Sequence, residues 1–277
     1  MFFLNNGFIN FNKIKKLWFA VFFSLLTTDV GCCSWLTSSD SLNTLSDEHI
    51  DGTLDVEDPM EDVNRSVFRF NQLIDAYFAK PITDFYKDIF PKPVQESVHN
   101  FVNNINAPVI FINDVLQFEG DRAMDTLARF VINTTLGGLG LFDVAHEWFD
   151  INYHEEDFGE TLGHYGVGDS CYLVIPFIGP SNPRDLTGVI FDLVVDPVDA
   201  LILKKKLDYL IYVRWGVEGI DKRVEADSVL EQINRSPDPY IAMRSAYTQN
   251  RAFNINKGVV DNDSPVPFEE DESNMNE

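Results

Sequence analysis

The sequence predicts an all-α fold for the main body of the chain, and two observations support this prediction. Apolar residues recur every three or four positions in several separate segments, which places them along one face of a helix. Strand-type alternation is weak everywhere except in residues 171–175, a short apolar run bounded by glycine and proline. Breaks separate the apolar segments, so the recurring unit is a helix, a break and another helix.

The first 31 residues have the pattern of a lipoprotein signal peptide. Three lysines precede an apolar run over residues 17–26, which has the length of a signal-peptide core and is too short to cross a bilayer. The next segment resembles a bacterial lipobox, in which a small residue precedes the cysteine that receives the lipid. Gly31 makes Cys32 the expected lipidation site, although Asp29 departs from the usual aliphatic residue. An ordinary cleaved signal peptide is the alternative.

The formal net charge of −23 is unevenly distributed along the chain. Residues 40–62 contain nine acidic residues and residues 261–277 contain seven, and neither segment contains lysine or arginine. We therefore expect an acidic tether over residues 32–57, a helical domain over residues 58–258 and an acidic disordered tail over residues 259–277. So acidic a chain is a poor partner for nucleic acid. A single cysteine beyond the lipobox excludes a disulfide-stabilised scaffold.

Three amphipathic helices are predicted in the first half of the domain. Residues 64–78 carry apolar side chains at three- and four-residue steps, and residues 94–105 repeat this pattern ahead of Pro108, where we expect a break. A third helix is expected to follow Asp121, because aspartate is a favoured residue at helix N-termini.

Residues 185–203 form the most unusual helix candidate, bent midway by Pro197. Its acidic residues fall within roughly 60° of one another at about 100° per residue. They are Asp185, Asp192, Asp196 and Asp199. The rest of the helix is almost entirely apolar, so it either lies in a large core or lies in lipid with its acidic stripe toward water. Composition alone favours the core.

Two runs rich in glycine lie between residues 130 and 188, and we interpret them as bends flanked by apolar surface. The glycines are Gly137, Gly138 and Gly140 in the first run, and Gly163, Gly166 and Gly168 in the second. Neither run has the glycine spacing of a dinucleotide-binding loop or the Gly-Lys-Ser/Thr ending of a P-loop. Nucleotide binding is therefore not expected.

The candidate catalytic and metal-binding motifs each lack a residue or a spacing that the chemistry requires. Ser170 lies in a Gly-Asp-Ser block like that of some lipid esterases, but no histidine follows it to act as the base. His146 and His154 lack the spacing that places two imidazoles on one helix face, and the acidic residues after His154 are expected to form a solvated loop. We expect no catalytic residue, no metal site and no cofactor.

Several blocks of residues closely resemble the MlaA (VacJ) family of outer-membrane lipoproteins. They include Phe68-Arg-Phe-Asn71, the Phe-Val-Ile-Asn-Thr-Thr-Leu-Gly segment that ends at Gly137, the Leu-Gly-His-Tyr-Gly-Val-Gly segment that ends at Gly168, and Ser236-Pro-Asp-Pro-Tyr240. The resemblance runs in order from about residue 58 to residue 253, and the segment ending at Gly168 is especially specific.

This resemblance implies both an architecture and a function. The architecture is an all-helical ring that lies in the periplasmic leaflet of the outer membrane, encloses a central amphipathic channel and associates with a porin trimer. The function is to remove phospholipid from the outer leaflet and pass it to a soluble periplasmic carrier, MlaC-like, without breaking a bond. The alternative is a structural envelope lipoprotein that binds porins and transports no lipid.

The resemblance also suggests which residues form the channel and its gate. Phe68, Phe70 and Asn71 match the family's N-terminal Asn/Phe-rich helix, and we expect them to border the channel. The acidic stripe of residues 185–199 is expected to face water along the same path. The second glycine run matches a gating hairpin of the family, and the first run is a second candidate hinge, because glycine tolerates the backbone changes of a pivot.

Overall fold

The computed structural model describes residues 58–258, and within this range the predicted all-α class is confirmed. The predicted signal peptide over residues 1–31, the lipidation site Cys32, the tether over residues 32–57 and the tail over residues 259–277 lie outside the described residues.

The first half of the described chain consists of six helices. They are α1 (Glu61–Ile74), α2 (Lys80–Ile89), α3 (Lys92–Leu116), α4 (Gly120–Thr135), α5 (Val144–Phe149) and α6 (Phe158–His164). A π-helical turn, Asp75–Ala79, joins α1 to α2 without a break. The predicted helix over residues 64–78 is therefore confirmed and continues to residue 89.

The second half begins with a two-stranded hairpin and continues with five helices. The strands are β1 (Leu173–Ile175) and β2 (Gly179–Ser181), and the helices are α7 (Pro183–Val195), α8 (Pro197–Lys204), α9 (Tyr209–Glu225), α10 (Asp227–Arg235) and α11 (Pro239–Ile255). The strands pair antiparallel with Val174 opposite Pro180. Strand β1 lies inside the one segment whose sequence alternates, so that prediction is confirmed.

The break expected at Pro108 is wrong, because α3 runs through this residue. Proline removes the N–H that would bond to the carbonyl four residues earlier and usually kinks or ends a helix. Here Ala107 and Ile110, on either side of Pro108, are both buried against other elements. Tertiary packing thus maintains the helix despite the lost hydrogen bond. The helix expected after Asp121 is also observed: α4 begins at Gly120, so Asp121 lies in its first turn and is not the N-cap.

The apolar segment predicted as one bent helix over residues 185–203 is two helices, α7 and α8. Asp196 ends α7 and caps α8, since its Oδ1 accepts hydrogen bonds from the backbone N–H of Val198 at 2.8 Å and of Asp199 at 3.3 Å. Pro197 occupies the first position of α8, where its missing N–H has no cost. The aspartate and proline together convert the expected bend into a helix boundary.

The polarity of the described domain is inverted relative to an ordinary soluble protein. Twenty polar or charged residues are buried, against twelve hydrophobic ones, so polar side chains dominate the interior. Large apolar side chains lie on the surface instead, with Phe118 87% exposed and others distributed over most helices. Within residues 58–258, no helix combines the length and the hydrophobicity that crossing a bilayer requires.

Candidate functional site

Several helices of the domain line a cavity of about 330 Å³ that is partly open to solvent. Helices α3, α7, α9 and α11 supply most of its wall, and the loop before α6 and the start of α8 complete it. A cavity of this size is comparable to the pockets that hold small ligands. It is therefore the candidate functional site.

The cavity wall is amphipathic and strongly acidic. Its apolar side chains include Val109, Val189, Leu193 and Trp215. Ten carboxylates line it against three basic side chains, so its formal charge is negative. The carboxylates belong to Glu155, Glu156, Asp157, Glu160, Asp192, Asp196, Asp199, Glu218, Asp221 and Glu225, and the basic side chains to Arg214, Lys222 and Arg251.

Arg214 neutralises two of the acidic residues predicted from the sequence. Its Nη1 lies 2.6 Å from Asp196 and 2.8 Å from Asp199, and its Nη2 donates to the side-chain oxygen of Asn106 at 2.8 Å. Both carboxylates are buried. Burial raises the pKa of Asp199 above its ordinary value, although Arg214 acts in the opposite direction. The arginine thus fastens α9 to the start of α8 at the cavity wall.

Arg251 has the same role at another part of the wall. Its guanidinium donates to Asp157 at 2.7 Å and to Glu160 at 2.8 Å, and its Nε lies 2.8 Å from Asp185. Burial alone would raise the pKa of Asp185, but the charge of Arg251 and the hydrogen bonds of its neighbours outweigh burial and lower that pKa. Arg184 adds a further hydrogen bond to Asp185 at 2.9 Å.

Two carboxyl groups of the wall titrate far above their ordinary range. Burial, reinforced by the charge of Asp157, raises the pKa of Glu160 to about 8. Burial also raises the pKa of Asp192 to about 6, because only neutral groups bond to it: Asn113 donates to Oδ1 and the backbone N–H of Phe158 donates to Oδ2, both at 3.0 Å. Glu160 Oε2 is buried and has no hydrogen-bond partner among the described residues.

A second group of acidic residues surrounds the ammonium of Lys222. Its side chain lies among the residues that line the cavity and is 62% exposed, although the surrounding wall partly desolvates its ammonium. Glu218 lies 3.3 Å from its Nζ. Burial lowers the pKa of Lys222, but the carboxylates of Glu218 and Glu155 more than offset this and raise it overall. This part of the cavity therefore favours a positive charge.

Buried polar contacts continue behind the cavity wall, and they correct the prediction of a solvated acidic loop after His154. Glu156 is buried, and its Oε1 lies 2.7 Å from both Arg122 and Lys257. His154 Nε2 lies 3.1 Å from the fully buried Asp114. Glu156, Arg122, Lys257 and Asp114 are charged residues, which a local sequence pattern predicts to be on the surface. Only the long-range contacts bring them inside.

The structure places Phe68, Phe70 and Asn71 beside the hairpin and not among the residues that line the cavity. Phe68 is buried against Tyr240 with ring centroids 5.7 Å apart, and Phe70 contacts Phe177 edge to face at 5.3 Å. Their assignment to the channel border stays a prediction.

Asn71 fastens α1 to the hairpin. Its Nδ2 donates to the Ile175 carbonyl and its Oδ1 accepts from the Phe177 N–H, both at 2.9 Å. Asn64, seven residues earlier on the same helix face, bonds in the same manner to the Tyr172 carbonyl and the Val174 N–H. The two amides thus satisfy the outer edge of β1, as a third strand would.

The first glycine run is tightly packed. A Cβ on Gly137 would lie 2.2 Å from the Phe142 carbonyl oxygen, and one on Gly140 would lie 2.5 Å from Cβ of Asn104. Gly138 and Gly140 both have positive φ. This run forms a close turn against α3.

The second glycine run ends α6. Gly166 has a φ of +82° and follows the C-cap Tyr165, and its N–H bonds to the Gly163 carbonyl at 2.8 Å, while the next N–H bonds to the Leu162 carbonyl at 3.0 Å. This is the arrangement of a Schellman motif. A Cβ at Gly166 or Gly168 would meet nothing within 4 Å, whereas one at Gly163 would meet Ile255 at 2.6 Å. The predicted gate is not tested by this arrangement.

Of the predicted acidic stripe, three members line the cavity and one lies behind its wall. Asp192, Asp196 and Asp199 line the cavity, and Asp185 is buried among arginines. Val194 of α7 and Leu201 of α8 are exposed and do not line the cavity, so the expectation of a helix buried in a core is wrong. The acidic stripe faces inward together with Val189 and Leu193, whereas Val194 and Leu201 face outward.

Sequence reasoning missed the basic residues that complete the site. Arg214 is the one charged residue in the apolar stretch of residues 209–217. A single charge in such a stretch indicates that the side chain has a buried partner or a functional role. Arg251 and Glu160 had no such signal, because their partners lie 91 to 94 residues away along the chain.

Comparison with known proteins identifies the family. The sequence model of the MlaA lipoprotein family matches residues 56–254. The chain belongs to the MlaA family. It is 34% identical over 207 residues to the intermembrane phospholipid transport system lipoprotein MlaA of Escherichia coli (strain K12), covering 73% of this chain and 79% of that protein. The MlaA lipoprotein of Haemophilus influenzae is 33% identical over 217 residues, with coverage of 76% and 84%.

Two further comparisons extend the similarity to a longer alignment and to a solved structure. An uncharacterized protein of Rickettsia bellii is 36% identical over 241 residues, which are 83% of this chain and 92% of that protein. A solved structure described as the structural basis for maintenance of bacterial outer membrane lipid asymmetry matches with a TM-score of 0.61 and 34% identity, covering 72% of this chain and all of that one. The resemblance to the MlaA family that the sequence blocks indicated is thus confirmed, both by sequence identity and by the fold.

Proposed function

We propose that this chain is the lipoprotein component of an intermembrane phospholipid transport system. It removes phospholipid from the outer leaflet of the outer membrane and passes it toward a soluble periplasmic lipid carrier, in the retrograde direction. The observation that carries the proposal is the amphipathic cavity inside a helical domain whose surface is apolar.

The exterior of the domain suits contact with acyl chains. Exposed Tyr77, Phe118 and Trp148 are large aromatic side chains that a soluble monomer would bury or avoid. No described helix could span the bilayer, so a helical body with this surface is best placed in one leaflet. We place it in the periplasmic leaflet of the outer membrane, anchored by lipid on Cys32 and seated beside a porin trimer.

The interior of the domain suits a phospholipid headgroup. A headgroup is zwitterionic or charged and cannot cross an apolar barrier without polar partners. The acidic and basic side chains around the cavity supply such partners, while apolar residues such as Leu193 and Trp215 provide contact for the first carbons of the acyl chains. The lipid path therefore passes Asp192, Asp196 and Asp199 in this proposal.

The remaining predicted site residues act around this path. Phe68, Phe70 and Asn71 connect α1 to the hairpin that precedes α7, so they set the position of a helix that lines the cavity. The turn at Gly166 and Gly168 has open space around it and is the better of the two candidate gates. No covalent step is part of the function.

Removing the protein from its own cells and assaying phospholipid in the outer leaflet tests this function. We expect outer-leaflet phospholipid to accumulate, and to return to its normal level when the full chain is restored. A structural lipoprotein that only binds porins gives a different result: outer-leaflet composition stays normal while the envelope weakens. That second result would contradict the transport proposal.

A further inference from the structure

Three carboxylates of the cavity wall have no cationic hydrogen-bond or ion-pair partner in the described part of the chain. Glu155 and Glu225 are exposed and make no side-chain hydrogen bond or ion pair among residues 58–258. Asp192 is held only by Asn113 and by a backbone N–H. The three acidic groups therefore act directly on whatever enters the cavity.

We propose that this cavity selects phospholipids whose headgroup ends in an ammonium group over phospholipids whose headgroup carries a net negative charge. The proposal rests on the function proposed above and adds the class of lipid that the site accepts. An ammonium is attracted by the excess of carboxylates, whereas a headgroup with a phosphate and no cation is repelled by them.

Glu160 supplies an independent indication of a missing cationic or donor group. The residue is 2% exposed and lines the cavity, and its Oε2 has no hydrogen-bond partner among the described residues. A buried oxygen without a donor carries a desolvation penalty. The positive charge of a headgroup ammonium favours the ionised form of Glu160, whose free oxygen then accepts an N–H donor.

Lys222 shows that the cavity already accommodates an ammonium. Its Nζ lies 3.3 Å from Glu218, and its side chain contacts the cavity interior. His99 nearby is held toward its charged form, since its hydrogen bond to Asp221 at 2.9 Å raises its pKa. Glu155 acts on both cations, and Glu225 on His99, only through longer-range attraction, and neither glutamate forms a hydrogen bond or close ion pair among the described residues.

The test measures which lipids the purified full chain retains from vesicles of known composition. One set of vesicles contains equal amounts of phosphatidylethanolamine and phosphatidylglycerol, and the other replaces phosphatidylethanolamine with phosphatidylcholine. We expect the ammonium lipid to be enriched about threefold or more at low salt and less so at high salt, since exposed charges are screened. Enrichment in both sets indicates any ammonium group, and enrichment in the first set alone indicates a primary amine.

Variants distinguish lipid that is selected in the cavity from lipid that is bound on the apolar exterior. Replacing Glu155 and Glu225 together by Gln should lower the enrichment, with Asp192 and Glu160 left in place, and Glu225→Lys should shift the ratio further toward phosphatidylglycerol. The matched control replaces Glu147 and Glu231, two exposed acidic residues outside the cavity, by Gln and should keep the enrichment of the unmodified chain. None of these side chains is buried, so the variants are expected to fold.

Two results overturn the proposed selectivity. One is equal recovery of both lipid classes by the unmodified chain, and the other is an undiminished enrichment in the Glu155/Glu225 double variant. Both leave the transport proposal intact, because lipid is still bound. Recovery of no phospholipid of either class would overturn the transport proposal together with the selectivity.

Discussion

At the scale of single residues, the interior of this domain depends on arginines that each hold several carboxylates. Arg214 bridges Asp196 and Asp199, and Arg251 bridges Asp157, Glu160 and Asp185. A buried charge is tolerated only when its partners are present, and removing one partner leaves the other charges uncompensated. The two arginines are thus required for the acidic wall to exist.

Arg214→Met tests this requirement. The change leaves Asp196 and Asp199 buried without a cation, so we expect a loss of about 3 kcal/mol in the free energy of unfolding. For a domain of this size that corresponds to a decrease of about 6–12 °C in Tm. The control is Arg235→Met, whose ion pair with Glu231 is exposed and should cost less than about 1 kcal/mol. Equal melting temperatures for the two variants would contradict the account.

Glu160 should make stability depend on pH. Its pKa in the folded protein is about 8, against an ordinary value of 4.5. Between these values the folded state binds a proton that the unfolded state has released, so stability falls as pH rises through this window. Glu160→Gln removes the titrating group, and its Tm should therefore decrease less between pH 5 and pH 9, by a few °C. The control is Glu147→Gln, which replaces an exposed glutamate and should leave the pH dependence of Tm unchanged. If Glu160→Gln loses as much Tm between pH 5 and pH 9 as the unmodified protein, Glu160 does not titrate in this range.

At the scale of elements, helices α6 and α7 cross at two glycines. A Cβ on Gly188 would lie 2.3 Å from the backbone nitrogen of Gly159 and 2.8 Å from its Cα. Backbone atoms cannot move aside as a side chain can, so the contact requires glycine. A Cβ on Gly159 would also lie 2.8 Å from both Arg251 and Asp185, so this glycine leaves room for their ion pair.

Gly188→Ala should separate these two helices. Overpacking against backbone costs about 1–3 kcal/mol, which thermal unfolding followed by circular dichroism will detect. Gly219→Ala in α9 is the matched control, because a Cβ there meets nothing within 4 Å and alanine favours a helix by up to about 1 kcal/mol. If Gly188→Ala melts at or above the temperature of the unmodified protein, the close crossing is not required.

The sequence predicted most helices but not the contacts between them. Residues 64–78 and 94–105 show helical periodicity because each helix presents one face to its neighbours, and this information is local. The helix break predicted at Pro108 is absent because tertiary packing outweighs the hydrogen bond that proline removes. The role of Arg251 could not be predicted, since its partner Asp157 lies 94 residues away. The same limit applies to Asn71, whose amide bonds to the hairpin 104 residues later.

At the scale of the whole domain, the described residues bury polar groups and expose apolar ones. This inversion explains why composition alone favoured a soluble core for residues 185–203: an apolar helix has the same composition whether it contacts a core or acyl chains. The position of the acidic stripe distinguishes the two, because Asp196 and Asp199 point inward to Arg214 while Val194 is exposed. An apolar exterior around a polar cavity is the arrangement that lipid passage requires.

Filling the cavity tests the central claim that phospholipid passes through it. Val189→Trp and Leu193→Trp together place two large side chains in the cavity, whereas Val194→Trp adds one on the same helix outside the lining. Each variant is introduced into cells that lack the protein, and outer-leaflet phospholipid is measured. We predict that the unmodified chain and Val194→Trp restore normal asymmetry and that the double variant, present at the same level, leaves phospholipid in the outer leaflet. Full restoration by the double variant would contradict the account.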